Sequence, residues 1–276
     1  MTVSRIDARF AALKAEGRAG FVTYVMAGDP SAQATLEILR GLPGAGADLI
    51  ELGFPFSDPM AEGPTIQRAA ARGLKSGMTV RGTLDLVRAF RESDADTPVI
   101  LMGYLNPLET WGHAAFARDA AAAGVDGLIV VDCPPEEAGP LTDALDAEGI
   151  ALIRLATPTT DDARLKIVTA RTSGFVYYVS VAGVTGVKEA DADAVAPAVA
   201  RVRAASGLPV AVGFGIKTPQ RAAEVARVAD AVVAGSVLVD EVAAAIAAGT
   251  DPTARVLGKV RALADAVRGA RAPQMA

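Results

Sequence analysis

The chain has 276 residues, of which 51% are hydrophobic and 21% are charged, and its formal net charge is −5. This length suits one large α/β domain with an extensive apolar core and does not require two domains. The acidic balance argues against a nucleic-acid-binding protein, because such proteins usually carry a basic surface.

The N-terminal segment, residues 1–10, mixes Arg5, Asp7 and Arg9 with apolar residues. This pattern predicts a short amphipathic helix, because a secretory leader would need a continuous apolar stretch. No segment approaches the ~20 apolar residues that span a bilayer. Cys133 is the single cysteine, so no internal disulfide can form and the chain suits a reducing compartment. The sequence therefore predicts a soluble cytoplasmic protein with no membrane partner.

Apolar, β-branched runs alternate along the chain with alanine-rich segments whose apolar residues have helical spacing. Nearly continuous apolar runs are typical of parallel strands that are covered on both faces. Gly46, Gly124 and Gly149 precede three of these runs and are expected to end the helices before them. The eight predicted strands are residues 21–25, 48–52, 99–102, 128–131, 152–155, 175–179, 210–212 and 231–234.

Eight strands that alternate with helices favour a closed (β/α)8 TIM barrel in one domain, residues 1–276, with an extra N-terminal helix. An open, doubly wound α/β sheet is the structural alternative. Against it, no G-x-G-x-x-G motif follows the first predicted strand, where residues 27–30 are expected to form a tight turn.

The spacing is uneven after the second predicted strand, where residues 54–78 form an inserted loop before a predicted helix, Val80–Arg91. Long loops in compact domains tend to be functional, and loops that follow barrel strands lie on the catalytic face. Within the insert, Thr65 is predicted to cap a helical segment over residues 66–74. The insert is therefore expected to arch over the barrel mouth.

Three carboxylates lie close together where this insert begins: Glu51 ends the second predicted strand, and Asp58 and Glu62 follow in the loop. A glutamate at the end of a strand is usually a solvated terminus. However, an ionised carboxylate is costly to bury unless it is paired or its pKa shifts. Carboxylates gathered where a strand meets a Pro- and Gly-stiffened loop suit the acid and base of a lyase. Glu51 is thus expected to point into the barrel mouth.

Glycine-bearing turns follow the seventh and eighth predicted strands, with Gly213, Phe214 and Gly215 in one turn and Gly235 and Ser236 in the other. Glycines let backbone N–H groups approach an anion, and a short helix starting near Ser236 would add its positive end. Loops at this position are the recurrent phosphate site of TIM barrels. Gly213 and Gly215 could instead only permit a tight turn, but the two turns together favour phosphate.

The loop after the sixth predicted strand, residues 182–188, places glycines on both sides of Thr185. Such a loop is typical of a lid that closes and excludes water from a reaction. An ordinary surface loop is the alternative interpretation.

The remaining reactive residue types favour no other chemistry. His113 is the single histidine, which excludes a histidine-based triad and a multi-histidine metal site, and no predicted strand contains a Schiff-base lysine. Cys133 fits a buried thiol better than a nucleophile. Asp132 is predicted to begin a helix together with residues 134–137, and it is a weaker candidate for the active site. Acid–base chemistry by carboxylates remains.

The segment from Glu51 to Gln67, ELGFPFSDPMAEGPTIQ, resembles the signature of the tryptophan synthase alpha chain family almost throughout. Residues 182–186, AGVTG, are similar to the mobile loop of that family. The resemblance covers nearly the whole chain, residues 21–236. It implies a lyase that cleaves indole-3-glycerol phosphate by retro-aldol chemistry to indole and glyceraldehyde 3-phosphate in L-tryptophan biosynthesis. It implies no metal ion and no organic cofactor.

The resemblance also implies a role for each candidate residue. Glu51 would donate and accept the protons, and Glu62 would hold the indole N–H and stabilise charge on the ring. The other substrate-binding residues would be Tyr24, Met102, Tyr104, Tyr177 and Thr185, and the phosphate would lie on Gly186, Gly213, Phe214, Gly215, Gly235 and Ser236.

The family's partner is the pyridoxal-phosphate-dependent beta chain, in an α2β2 heterotetramer. Residues 58–59 and the loop around 106–107 resemble the surfaces that would meet it. The chain departs from the family at Glu62, where aspartate is commoner, and at Val181, where many members carry arginine. Two alternatives remain: another phosphate-sugar TIM-barrel enzyme of amino-acid biosynthesis, and a non-catalytic barrel subunit.

Overall fold

A single sheet of parallel strands forms the centre of the protein. The computed structural model describes residues 4–180, 192–213 and 215–271. Neighbouring strands follow the order β5-β4-β3-β2-β1-β9-β8-β7-β6 around the sheet. The strands are β1 (Gly20–Met26), β2 (Leu49–Gly53), β3 (Val99–Gly103), β4 (Gly127–Val130), β5 (Ala151–Leu152), β6 (Arg154–Ala156), β7 (Val176–Val179), β8 (Val210–Gly213) and β9 (Ala231–Ala234).

The sheet closes on itself at Ile153. β5 and β6 stand at the two ends of the strand order, yet in the chain they are separated only by this residue. β5 pairs with β4, and β6 pairs with β7. The predicted TIM barrel is therefore confirmed. The prediction of one continuous strand over residues 152–155 is wrong, because the chain changes its hydrogen-bonding partner at Ile153.

Helices follow the strands and cover the outside of the sheet. Those in the described part of the chain are α1 (Arg5–Ala15), α2 (Ala32–Ala45), α3 (Pro64–Lys75), α4 (Val80–Arg91), α5 (Leu105–Trp111), α6 (His113–Ala123), α7 (Gly139–Glu148), α8 (Asp162–Thr169), α9 (Ala192–Ser206), α10 (Pro219–Ala226), α11 (Ser236–Ala248) and α12 (Pro252–Gly269). Within the described residues, none of these helices is both long and apolar enough to span a bilayer.

The observed ends of the helices can be compared with the capping residues predicted from the sequence. Gly46, Gly124 and Gly149 each follow a helix in the left-handed conformation, as predicted. The prediction that Thr65 caps a helix is wrong: α3 already begins at Pro64, because proline fits the first helical position without losing a hydrogen bond.

The prediction that a helix starts at residues 134–137 is also wrong. These residues form turns, and α7 begins only at Gly139. Pro140 explains the delay, because proline fits the first turn of α7 but would lie in the interior of a helix that began at residues 134–137.

The N-terminal helix α1 closes the bottom of the barrel. Its residues Ile6, Phe10 and Leu13 are buried in one cluster with inward-facing strand residues such as Leu49. The rings of Phe10 and Phe175 lie 5.7 Å apart between centroids. Helix α1 begins and ends later than the predicted segment, residues 1–10, because Ser4 caps it by accepting a hydrogen bond from the Asp7 N–H. An apolar plug therefore fills the end of the barrel opposite the loops that follow the strands.

Three aspartates on this bottom rim tie neighbouring strands together. Each precedes a strand and accepts a hydrogen bond from a backbone N–H near the start of the adjacent strand. Each also pairs with an arginine. They are Asp48 before β2, Asp126 before β4 and Asp230 before β9. Asp126 accepts hydrogen bonds from two different arginines, since it accepts from Val99 N at 2.8 Å, Arg91 Nη2 at 2.6 Å and Arg5 Nη1 at 2.9 Å.

We expect Asp126→Ala to lower the free energy of unfolding by about 3 kcal/mol, because it leaves the largely buried guanidinium of Arg91 without its carboxylate. Chemical denaturation measures this loss. The matched control is Asp85→Ala, which removes an exposed carboxylate paired with Arg88 and should cost at most about 0.5 kcal/mol. Equal stabilities of the two variants would contradict the role of the aspartate rim.

Candidate active site

Glu51 lies inside the barrel. It occupies the middle of β2, where residue alternation puts it on the same side as the buried interior residue Leu49. In the register of the sheet it stands beside Tyr24 of β1 and Ile100 of β3. Only 1% of its surface is exposed. The interior layer below it is apolar, so Glu51 is a carboxyl group at the boundary between the core and the barrel mouth.

This position changes the acidity of Glu51. Burial, and after it the nearby charge of Glu62, raises the pKa of Glu51 to about 8. Among the described residues, its Oε1 atom is buried without a hydrogen-bond partner. Glu51 therefore carries a proton at neutral pH and has one oxygen free to interact with a bound molecule.

Glu62 supplies a second buried carboxyl group from the loop after β2. Its surface is 7% exposed, and burial raises the pKa of Glu62 to about 7. Since Glu51 is more deeply buried and also feels the charge of Glu62, Glu62 is the one that ionises at lower pH. At neutral pH the two groups can thus act as an acid and an anion.

Hydrogen bonds hold the loop that carries Glu62. The N–H of Ala61 donates to the hydroxyl oxygen of Tyr104 at 3.0 Å, and Gln67 Nε2 donates to the carbonyl of Glu62 at 2.8 Å. The ring of Phe56 stacks on Tyr104 at 5.3 Å between centroids. Tyr104 therefore fixes the backbone one residue before the carboxylate.

Helix α3, which continues from this loop, is tied to the loop after β1. Arg72 donates through Nε and Nη2 to the two carboxylate oxygens of Asp29, at 2.6 and 2.7 Å. Ser76 Oγ donates to the carbonyl of Gly28 at 2.8 Å. A bidentate arginine–carboxylate pair is geometrically restrictive. Both ends of the inserted segment are therefore anchored to the barrel.

The two carboxyl groups face one open cavity of about 600 Å³ at the mouth of the barrel. Eight of the predicted site residues line it together, and five apolar residues that were not predicted complete it. The predicted residues are Tyr24, Glu51, Glu62, Met102, Tyr177, Gly215, Gly235 and Ser236. The additional residues are Ile66, Leu155, Val179, Ile216 and Val233.

Some of the five additional lining residues could have been predicted from the alternation of side chains along the strands. Val179 lies two residues after Tyr177 in β7, so both side chains point to the same side. Leu155 and Val233 likewise lie on the inward side of their strands with Ile153 and Ala231. Ile66 comes from α3 and has no such signal.

The remaining predicted residues do not line the cavity or lie outside the described part of the chain. Tyr104 holds the Glu62 loop, as described above. Gly213 lies against Tyr177: a Cβ atom at Gly213 would come within 2.1 Å of the tyrosine hydroxyl. Glycine is therefore required there for the tyrosine to fit. Phe214, Thr185 and Gly186 lie outside the described residues, as does Val181.

The tyrosines on the two sides of the cavity stay neutral. Burial, followed by the charges of the two glutamates, raises the pKa of Tyr24 and of Tyr177 well above the ordinary range. Both can therefore offer an apolar ring and a neutral hydroxyl, and neither is a base at physiological pH.

Two backbone features of the cavity lining suit an anion. Gly235 immediately precedes α11, a helix of 13 residues, so the prediction of a short helix near Ser236 is right in position and wrong in length. Gly215 adopts a positive φ of 72°. A helix N-terminus carries unpaired N–H groups and a partial positive charge. This end of the cavity can therefore receive a phosphate group.

Other polar residues have structural partners. The carboxylate of Asp132 accepts a hydrogen bond from Leu105 N at 2.8 Å, at the start of α5, and does not line the cavity. His113 begins α6 and its Nε2 lies 3.1 Å from Glu109 Oε1. Within the described ranges, no group of three or more His, Cys, Asp or Glu side chains is arranged to hold a metal ion.

Comparison with known proteins was made on both sequence and structure. A family model described as "Tryptophan synthase alpha chain" matches residues 10–268. The tryptophan synthase alpha chain of Phenylobacterium zucineum is 76% identical over 271 residues, which cover 98% of each chain. That of Caulobacter sp. (strain K31) is also 76% identical over 271 residues, again 98% of each chain. The crystal structure of tryptophan synthase subunit alpha from Legionella pneumophila superposes with a TM-score of 0.90 at 41% identity, covering 96% of this chain and 99% of that one.

Proposed function

This chain belongs to the tryptophan synthase alpha chain family and is a lyase that cleaves indole-3-glycerol phosphate, and we propose that Glu51 and Glu62 carry out its proton transfers. The observation that carries this proposal is the pair of buried carboxyl groups in one cavity, one of them with an unpartnered oxygen. The products are indole and glyceraldehyde 3-phosphate.

The first step needs a proton at indole C3, because a C3 carbanion is a poor leaving group. Glu51 is protonated at neutral pH, since burial raises its pKa to about 8. It donates this proton to C3, and the ring nitrogen becomes positively charged. The carboxylate of Glu62 accepts a hydrogen bond from the ring N–H and stabilises that charge.

The second step breaks the C–C bond between C3 and the glycerol chain. The adjacent glycerol hydroxyl loses its proton and becomes the aldehyde, and the bonding electron pair returns to the indole ring. Glu51 is now a carboxylate and takes that proton, which restores the acid for the next turnover. One carboxyl group thus serves both steps, and no net proton is gained or lost.

Substrate contacts follow from the distribution of apolar and glycine residues. We propose that Tyr24, Met102 and Ile66 enclose the indole ring, and that Tyr177 lies beside the carboxyl groups. The phosphate would lie on Gly215, Gly235 and the N-terminus of α11. The proposed roles of Thr185, Gly186 and Phe214 rest on the sequence resemblance alone.

We further propose that the chain assembles with a beta chain as α2β2, through residues 58–59 and 106–107. Residues 106–107 lie in helix α5, so the expectation of a loop there is wrong. Asp58 and Asn106 are exposed, and Met60, two residues after Asp58 in the same loop, is 77% exposed, which favours burial against a partner. These segments adjoin Ala61 and Tyr104, so a docked partner would contact the residues that hold Glu62.

We also propose that residues 1–276 form a single domain, because α1 fills the bottom of the barrel and α12 packs against α2, α10 and α11. A cytoplasmic location is proposed from the single cysteine, which suits a reducing compartment.

Glu51→Gln is expected to lower the rate of indole release by at least about a hundredfold, because an amide can neither donate nor accept the proton. Indole release from indole-3-glycerol phosphate by the purified chain measures this. Glu37→Gln, an exposed change of the same chemistry, is the matched control, and thermal unfolding verifies that both variants fold. Near-normal turnover by Glu51→Gln would falsify the assigned role, and activity absent from the unaltered chain would favour a non-catalytic barrel.

Glu62→Asp should lower kcat/KM, although it introduces the residue commoner in the family. Aspartate is shorter by one C–C bond, ~1.5 Å. Because Tyr104 fixes the backbone at Ala61, the loop cannot follow the shorter side chain. Misplacement on that scale can cost roughly a hundredfold. Glu62→Gln should lose more, because it removes the negative charge. An aspartate variant as fast as the unaltered protein would refute this account of the loop.

A further inference from the structure

Arg154 is a buried arginine in the wall of the barrel. It lies in β6 and is only 8% exposed. Its neighbours Ile153 and Leu155 pack in the barrel interior, so strand alternation points Arg154 outward, toward the surrounding helices. An arginine at this depth is unusual, because its guanidinium remains charged under all physiological conditions.

Arg154 lines a second open cavity, of about 640 Å³, to which its neighbours Ile153 and Leu155 also contribute. Strand residues from β4 to β6 form one side, and residues 135–138 and α8 form the other. The charged residues that line it within the described part of the chain are Arg154 and Arg164, both cationic. Thr160 adds a hydroxyl and Cys133 a thiol. The described lining of the cavity thus contains two cations and no carboxylate, and one of these cations, Arg164, pairs with Glu136 outside the lining.

Arg154 has no ion-pair partner among the described residues. Glu136 interacts with its charge electrostatically, but the ion pair of Glu136 is formed with Arg164. Burial lowers the pKa of Arg154, which reflects the cost of keeping the cation away from water. Leaving a buried charge unpaired is strongly unfavourable, and an anion that enters the cavity would remove this cost.

We propose that this cavity binds a small phosphate, held by the Arg154 guanidinium with Arg164 and the Thr160 hydroxyl beside it. A guanidinium presents several N–H donors in a plane, which matches the oxygens of a phosphate group. The site is distinct from the glycine turns that would hold the substrate phosphate, because Gly215, Gly235 and Ser236 do not line it, although Leu155 lines both cavities.

Cys133 provides a probe of occupancy. It is the single cysteine of the chain and lines the cavity, so alkylation by the neutral reagent iodoacetamide reports on this position alone. The rate of alkylation is measured on the full chain by mass spectrometry, with inorganic phosphate added at constant ionic strength. Potassium acetate and potassium chloride serve as the comparison salts.

Phosphate is expected to slow the alkylation by about tenfold at ten times its Kd, because the empty fraction of the site falls as 1/(1 + [L]/Kd). Arg154→Met keeps the length of the side chain and removes its charge, so it should abolish this protection. Arg88→Met removes an exposed arginine that lines neither cavity and should keep it. Glu51→Gln should also keep it, so the outcome does not depend on the proposed catalytic role.

The thermal stability of Arg154→Met gives an independent test. If the arginine serves an anion, the variant should be at least as stable as the unaltered chain in phosphate-free buffer, and phosphate should no longer raise its stability through this site. No protection of Cys133 at about 50 mM phosphate, equal protection by acetate, or unchanged protection in Arg154→Met would overturn the proposal. A strong loss of stability in phosphate-free buffer would assign the arginine a structural role and overturn it as well.

Discussion

The burial of one carboxyl group inside a barrel of parallel strands is the constraint on which the proposed catalytic site depends. Glu51 is fixed by strand pairing on both sides and lies above an apolar layer that is plugged from below by α1. It therefore retains its proton at neutral pH. Because the folded chain binds that proton more tightly than the unfolded chain, ionisation of Glu51 opposes folding increasingly as the pH rises from 4.5 to about 8.

Other contacts in the site place the carboxyl group of Glu62 close to that of Glu51. Glu62 has to come close enough to share the cavity, yet it belongs to a loop, and loops are the mobile parts of a fold. Tyr104 holds that loop by a hydrogen bond and by stacking, and the Arg72–Asp29 pair holds the helix that follows it. The geometry of acid and anion is thus set by contacts outside the cavity.

The barrel and Glu51 were predictable from the sequence, because apolar runs and a long motif are local signals. The division of the fifth strand at Ile153 was not, since it reflects a change of pairing partner between distant segments. Tyr104 was predicted to bind the substrate, but its hydrogen bond with Ala61 joins residues far apart in the chain. Strand alternation would have predicted that Leu155 faces the cavity. The burial of Arg154 could not be predicted in this way, because it depends on the helix packed over it.

The central claim is that Glu51 is a protonated acid in the folded enzyme at neutral pH. Its ionisation can be followed by 13C NMR of the full chain labelled at the glutamate side-chain carboxyl carbon, with Glu51→Gln used to identify the resonance. The account predicts that this resonance titrates with a midpoint of about 8. A midpoint near 4.5, the ordinary value for glutamate, would show that Glu51 is ionised at neutral pH and cannot be the proton donor.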